Sequence, residues 1–173
     1  FIPGKRPIKG KYICIGPKST AGLKEWPYSN WRELAKKLHK KGYKIVNLSY
    51  EGFSGIDIIN KQKLNWDKTF NYLYHADLFI GLGSGLSWVN WALNKQTVMI
   101  NNFIPWGFEF TNYLTKIENN SVCNNCWVNK NYIFDAGDWD WCPENKGTKD
   151  QHICQKSITV DQVYNKVLNL LNE

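Results

Sequence analysis

The chain has 173 residues, 43% hydrophobic and 21% charged, with a formal charge of +7. That length suits one domain with its own core, and the composition is globular rather than disordered. The positive balance fits a polyanionic partner, whether nucleotide phosphates, nucleic acid or an acidic surface, without choosing among them.

Lys11 to Gly16 (KYICIG) is β-branched and aromatic and ends in Gly-Pro, which predicts a buried strand. A polar loop follows, from Lys18 to Trp26. A helix is then expected to begin near Asn30, where Asn30 and Glu33 have capping-box spacing. Trp31, Leu34, Ala35 and Leu38 recur at i, i+3, i+4 and i+7, so one face is buried. Gly42 ends the helix, and Tyr43 to Ser49 reads as the second strand. Ile56 to His75 reads as helical with a break around Lys63 to Asn65. Asp77 to Leu82 is the third strand, Ser84 to Leu93 a helix, and Thr97 to Ile100 the fourth strand.

Strands alternating with helices predict βαβ units: an α/β fold with a Rossmann-like, doubly wound parallel sheet. After about residue 100 the pattern changes. Residues 119–158 are rich in Asn, Trp, Asp and Cys, with little periodicity, and read as a metal-binding insertion. Thr159 or Asp161 then caps a last helix over residues 159–172, with Val163, Val167, Leu168 and Leu171 on one face. The expected organisation is a single nucleotide-binding domain over residues 1–173 that includes both features.

No stretch approaches the roughly 20 apolar residues needed to cross a bilayer. Residues 1–11 lack the apolar core of a signal peptide. The missing initiator Met suggests a piece of something longer. Five cysteines without a secretory signal favour thiolate chemistry over disulfides, and hence a cytoplasmic location.

Four of those cysteines carry the sharpest signal. Cys123 and Cys126 form a C-x2-C pair; Cys142 follows after fifteen residues and Cys154 after eleven more. Such a pair presents two thiolates to one cation, and two distant cysteines complete a tetrahedron. Soft all-thiolate sets select iron or zinc. Four thiolates leave no position for substrate, so the reading is structural rather than catalytic. The alternative is a set of unligated thiols or two disulfides.

The second signal is Gly81-Leu82-Gly83-Ser84-Gly85-Leu86-Ser87, directly after a strand and opening a helix. Glycines let a phosphate approach backbone N–H groups at a helix start. No Lys-Ser/Thr follows, so it is not a P-loop, and Leu86 and Trp88 break the dinucleotide spacing. A tight turn for helix–sheet packing explains the same residues. The third signal is the loop after the first strand, where Ser19, Thr20 and Lys24 offer two hydroxyls and a cation to a diphosphate. Glu51, past the second strand, has the place of a ribose-hydroxyl acceptor. Glu109 is the best internal carboxylate, either as a weak candidate base or as a hydrogen-bond partner of the bound molecule. Solvated surface residues are the competing reading of Lys24 and Glu51.

Taken together, K-x-W-P before the first helix and A-D-x-F-I-G-x-G-S-G-L-S later resemble the ADP-heptose heptosyltransferases. Gly81 to Trp88, Cys123 to Trp127, Phe134 to Pro143 and Cys154 to Thr159 resemble, more narrowly, the bacterial autotransporter heptosyltransferases. The resemblance implies one half of a GT-B fold, the C-terminal donor-binding domain, with a separate N-terminal acceptor-binding domain that supplies the catalytic Asp. It implies transfer of heptose from ADP-heptose to hydroxyls of an autotransporter acceptor protein, and iron at the cysteines with zinc as the alternative. Lys24 matches the family's functional lysine at the donor diphosphate, and Gly83 to Ser87 match its donor loop. Lipopolysaccharide heptosyltransferases carry Asp where this chain has Gly83, so the resemblance does not carry an Asp contact to the sugar over to this chain. Two other readings compete: a basic four-cysteine nucleic-acid-binding module, for which nucleic acid is the less favoured partner, and an inactive scaffold that forms homo-oligomers.

Overall fold

A computed structural model describes residues 1–52, 54–55 and 58–172. Six parallel strands form one sheet: β1 (Tyr12–Gly16), β2 (Lys44–Asn47), β3 (Ile58–Asn60), β4 (Leu78–Leu82), β5 (Thr97–Ile100) and β6 (Leu114–Ile117). Their order across the sheet is β3-β2-β1-β4-β5-β6. The chain winds outward from β1 to β3, then crosses back to β4 and winds the other way. Its switch point lies between β1 and β4, where Gly16 faces Gly81 in register.

Helices cover both faces. On one, α1 (Tyr28–Lys40) and α5 (Val160–Asn172) lie over Ile13, Ile15, Ile45, Ile80, Val98 and Ile100. Trp31, Leu34, Ala35 and Leu38 make the buried stripe of α1, as their spacing predicts. On the other, α2 (Trp66–His75) and α3 (Gly85–Ala92) cover Tyr12, Cys14, Val46 and Phe79. Both faces being covered explains why these strands read as continuous apolar runs rather than alternating ones.

The sequence misplaces three features. Helix α1 starts at Tyr28 with Pro27 as its cap and no side-chain cap, so the Asn30–Glu33 box does not form. The proline's fixed φ sets the helix entry two residues earlier. Residues 58–60, expected to be helical, form β3 beside β2; the stated start of that helix, Ile56, lies outside the described residues. Strand β6 was not anticipated at all. At the last helix, Thr159 and Gln162 exchange capping bonds, Gln162 N–H to Thr159 Oγ1 at 3.2 Å and Thr159 N–H to Gln162 Oε1 at 2.7 Å.

Two glycines are required by a close approach. A Cβ on Gly81 would stand 2.5 Å from the Phe79 ring, and one on Gly16 would stand 2.9 Å from it. Phe79 is fully buried, with no direction in which to yield. Gly81→Ala is therefore expected to destabilise the domain by about 1–3 kcal/mol, the usual cost of overpacking. Urea unfolding of the two proteins measures this; equal midpoints would contradict it.

Residues 119–158 carry little regular structure, only a 3₁₀ turn (Cys126–Val128) and the short α4 (Ile153–Lys156). This segment packs on the ends of β1 and β5 through a small cluster of Ala21, Leu23, Phe103, Ile104 and Trp141.

Candidate functional site

Beyond the paired carboxyl ends of β1 and β4, the loops that follow these strands leave an open crevice of about 410 Å³. That is within the range of small-molecule sites. Ser19, Thr20, Ser84, Gly85 and Leu86 line it, all anticipated from the sequence. Lys18, Leu48, Ser49, Tyr50, Lys63, Leu64, Trp66 and Thr69 complete the wall and were not anticipated. The polar, glycine-containing end is at β1 and β4, and the apolar end is over β2 and the start of α2.

Helix α3 points its N-terminus at the polar end. Ser84 is its cap and is extended, with no side-chain cap bond. Nothing lies within 4 Å of where a Gly85 Cβ would be, so the first turn is open to a ligand. Backbone N–H groups so placed favour an anion. Ser87 is not part of this surface: it is buried, and its hydroxyl donates to the Leu82 carbonyl at 2.6 Å.

Lys24 ends a 3₁₀ turn (Gly22–Lys24) in the loop after β1. Its ammonium donates to the Gly83 carbonyl at 3.1 Å, one residue from the crevice wall. Burial holds its pKa below the ordinary lysine value, with the charge of Glu109 opposing that shift. Burial pushes the Glu109 carboxyl upward, against the charges of Lys24 and Lys116 and hydrogen bonds from Asn101 and Trp88. Both groups are thus biased toward neutrality, as expected of a pair whose burial outweighs their attraction.

Glu109 reaches this place through Asn101. The Asn101 Oδ1 accepts from the backbone N–H groups of Phe103 and Ile104, which fixes the amide, and its Nδ2 donates to Glu109 Oε1 at 3.1 Å. A Cβ at position 83 would stand 2.7 Å from Asn101 Nδ2 and 2.8 Å from Glu109 Oε1. Gly83 therefore leaves room for a carboxylate delivered from a different loop.

Glu51 is about half exposed and lies beside Lys18. It pairs with Lys18 at 3.3 Å, and Lys18 also pairs with Glu25 at 3.2 Å. Burial works against the Lys18 charge, but bonds with Tyr28, Glu25 and Glu51 carry its pKa up. Lys18 is a firmly held cation at the crevice rim.

The four cysteines come together. Cys123, Cys126, Cys142 and Cys154 line one cavity of about 20 Å³ beside Leu23, Phe103 and Trp141. Asn125, at φ 54°, makes the left-handed knuckle before Cys126. Among the described residues no group of three or more His, Cys, Asp or Glu side chains has the spacing of a formed metal centre, and all five cysteines are free thiols. Burial raises the thiol pKa of Cys126 to about 11 and that of Cys154 to about 12, and the neighbouring cysteines add to both shifts. His152 lines the same cavity, but its Nε2 faces Asp140 Oδ1 at 3.6 Å. The donor set is soft, convergent and mutually repelling when ionised, which suits a thiophilic cation. The cavity has room for about one small sphere.

A parallel, doubly wound six-stranded sheet with a crevice at its switch point defines an α/β, Rossmann-like domain. The pattern of Glycosyltransferase family 9 (heptosyltransferase) matches residues 4–51, the stretch that holds β1, the Lys24 loop, α1 and β2. The autotransporter heptosyltransferase Aah of Escherichia coli is 34% identical, over 94% of this chain and 44% of its own length. The autotransporter heptosyltransferase TibC of Escherichia coli is 33% identical, over 99% and 44%. The inactive autotransporter heptosyltransferase BimC of Burkholderia thailandensis is 31% identical, over 91% and 40%. The crystal structure of TibC, an iron-containing dodecameric glycosyltransferase from enterotoxigenic E. coli, superposes with a TM-score of 0.86 at 33% identity, covering 96% of this chain and 47% of that one. TibC has also been seen in complex with ADP-D-beta-D-heptose. The chain belongs with the autotransporter heptosyltransferases, and it spans less than half the length of these relatives.

Proposed function

We propose that this chain is the donor-binding half of a GT-B heptosyltransferase that moves heptose from ADP-heptose to hydroxyls of an autotransporter-type acceptor protein. The observation that carries this reading is the meeting of Lys24 with the glycine loop at the switch point, its ammonium 3.1 Å from the Gly83 carbonyl. The crevice gives the donor a direction. The adenine lies at the apolar end, against Leu48, Tyr50, Leu64 and Trp66, and the diphosphate lies at the N-terminus of α3 near Ser19, Thr20 and Lys18. The sugar then extends over β4 toward Gly83, Asn101 and Glu109.

Catalysis follows from the charge that grows on the departing diphosphate. A preorganised cation stabilises that charge more in the transition state than in the bound donor. Lys24 supplies it, and the open N–H groups of α3 add a partial charge. Glu109, as a carboxylate held by Asn101, accepts from a sugar hydroxyl. The acceptor-binding domain and the catalytic base lie outside this chain. Cys123, Cys126, Cys142 and Cys154 would hold iron, with zinc as the alternative; the ion would cross-link the segment and supply no step of the transfer. That TibC is iron-containing and dodecameric supports iron and a homo-oligomer here. No helix of the described residues is long and apolar enough to cross a membrane; the cytoplasmic location belongs to the proposal and rests on the free thiols of all five cysteines.

A second reading has one observation behind it: a relative of similar identity, BimC, is an inactive heptosyltransferase. A donor pocket without turnover is then the alternative, and turnover of the full-length protein separates the two.

Titration calorimetry of this chain with ADP-heptose, ADP and a DNA duplex tests the site. ADP and ADP-heptose are expected to bind. Glu109→Gln should weaken ADP-heptose by about tenfold or more, the scale of one charge-assisted hydrogen bond, and leave ADP nearly unchanged. Salt-sensitive binding of DNA with no nucleotide binding would favour the nucleic-acid module instead.

A further inference from the structure

Gln155 belongs to the cysteine segment, follows Cys154 directly, and is fully buried. Its amide serves two backbone groups from two different loops. Oε1 accepts from the Asn102 N–H at 3.1 Å, just past β5. Nε2 donates to the carbonyl of Lys24. A buried amide satisfied at both ends fixes the spacing of the two backbones it joins, since releasing either end leaves a polar group without water.

The turn that carries Lys24 needs such a tie. It is three residues long, and the Lys24 N–H bonds only back to Ala21 at 3.1 Å. The cysteine segment holds this turn at consecutive residues: the Leu23 N–H donates to the Trp139 carbonyl at 3.2 Å, and Gln155 takes the Lys24 carbonyl. The Lys24 ammonium is then free to reach Gly83. Main chain and side chain of one lysine are thus anchored on opposite sides, the first by the cysteine segment and the second by the glycine loop.

We propose that Gln155 is a positioning residue: it sets the height of the Lys24 backbone so that the ammonium meets the donor diphosphate, and through it the cysteine segment controls turnover. This rests on the donor-site reading of Lys24. A displacement of about 1 Å in a catalytic group costs up to roughly 10² in rate, so a partial loosening should cost less.

The test is a double-mutant cycle in the full-length protein, with donor KM, kcat, ADP affinity and thermal midpoint measured for each variant. Gln155→Met keeps the side-chain length and removes both bonds. Its kcat is expected to fall about tenfold, with KM and ADP affinity changing by less than about threefold. In a Lys24→Ala background the same substitution should cause no further loss, because the residue it positions is gone. A fold merely weakened by Gln155→Met would instead lose activity in both backgrounds, and that multiplicative result overturns the proposal, as does wild-type kcat in Gln155→Met. Should Gln155→Met not fold, Gln155→Glu, polar and of equal length, runs through the same cycle under the same criteria. If Lys24→Ala alone keeps wild-type turnover, the donor-site reading has failed and the positioning role falls with it.

Discussion

Lys24→Ala in the full-length enzyme is expected to lower kcat by about 10² or more, the scale seen when one preorganised electrostatic partner is removed. Donor affinity should fall less, because negative charge on the diphosphate oxygens grows as the glycosidic bond breaks. Stability should stay within about 1 kcal/mol. The structure explains why so little is lost: Lys24 is half-buried, and burial already disfavours its charge. The folded pKa is depressed, so the active, protonated form is lost as pH rises through a value below that of free lysine. The alkaline limb of the kcat profile should therefore begin earlier than an exposed lysine would give, and should vanish in Lys24→Ala. Lys24→Met, which keeps the aliphatic stem, should show the same rate loss. Full activity in either variant, or inactivity that tracks unfolding, would make Lys24 an ordinary loop lysine.

The parts of this site that lie beside strong local signals were legible in the sequence. β1, β4 and β5 are continuous apolar runs, and the Lys24 loop and the glycine loop follow two of them directly. β3 was hidden because three residues at a sheet edge carry no period of their own. β6 was hidden by Lys116, which looks like a surface residue. Its side chain is in fact wholly buried, held by the Ile104 carbonyl at 2.6 Å and Glu118 at 3.0 Å. Pairings between loops were beyond reach as well. Nothing local says that Asn101 turns an amide toward Glu109, that Gly83 leaves the space that carboxylate fills, or that Lys18 claims Glu51. Gln155 reads as one more polar residue in a segment full of them until its two backbone partners are seen.

Cys142→Ser should abolish metal binding and disorder the cysteine segment while leaving the sheet folded. Tetrathiolate sites bind metal with apparent free energies on the order of 10 kcal/mol, and in small segments that energy is folding energy. The segment's other ties to the domain are partly exposed: Trp127 and Phe134 meet the Phe103 ring, and the Asn125 N–H donates to the Asn102 carbonyl at 2.9 Å. Trp141 and Cys142 are its buried apolar side chains before α4, and the cluster beneath it takes Ala21, Leu23, Phe103 and Ile104 from the domain itself. One buried Trp supplies only a few kcal/mol, against an ordering cost of about 1–2 kcal/mol for each residue fixed. Polar clamps remain at the base, where Asn102 Nδ2 donates to the carbonyls of Asn119 and Cys154 at 3.0 Å and 2.8 Å. Hydrogen exchange should therefore show residues 123–152 unprotected in Cys142→Ser and residues 12–16 and 78–100 as protected as in the wild type. Elemental analysis should find about one iron or zinc per wild-type chain and essentially none in the variant; a ferric site would also colour the wild-type protein. Because Leu23 and Lys24 are tied to Trp139 and Gln155, the loop after β1 should lose protection together with the segment. Retained metal and unchanged exchange in Cys142→Ser would show that the four thiols are packing residues and that the hydrogen-bonded clamps alone order the segment.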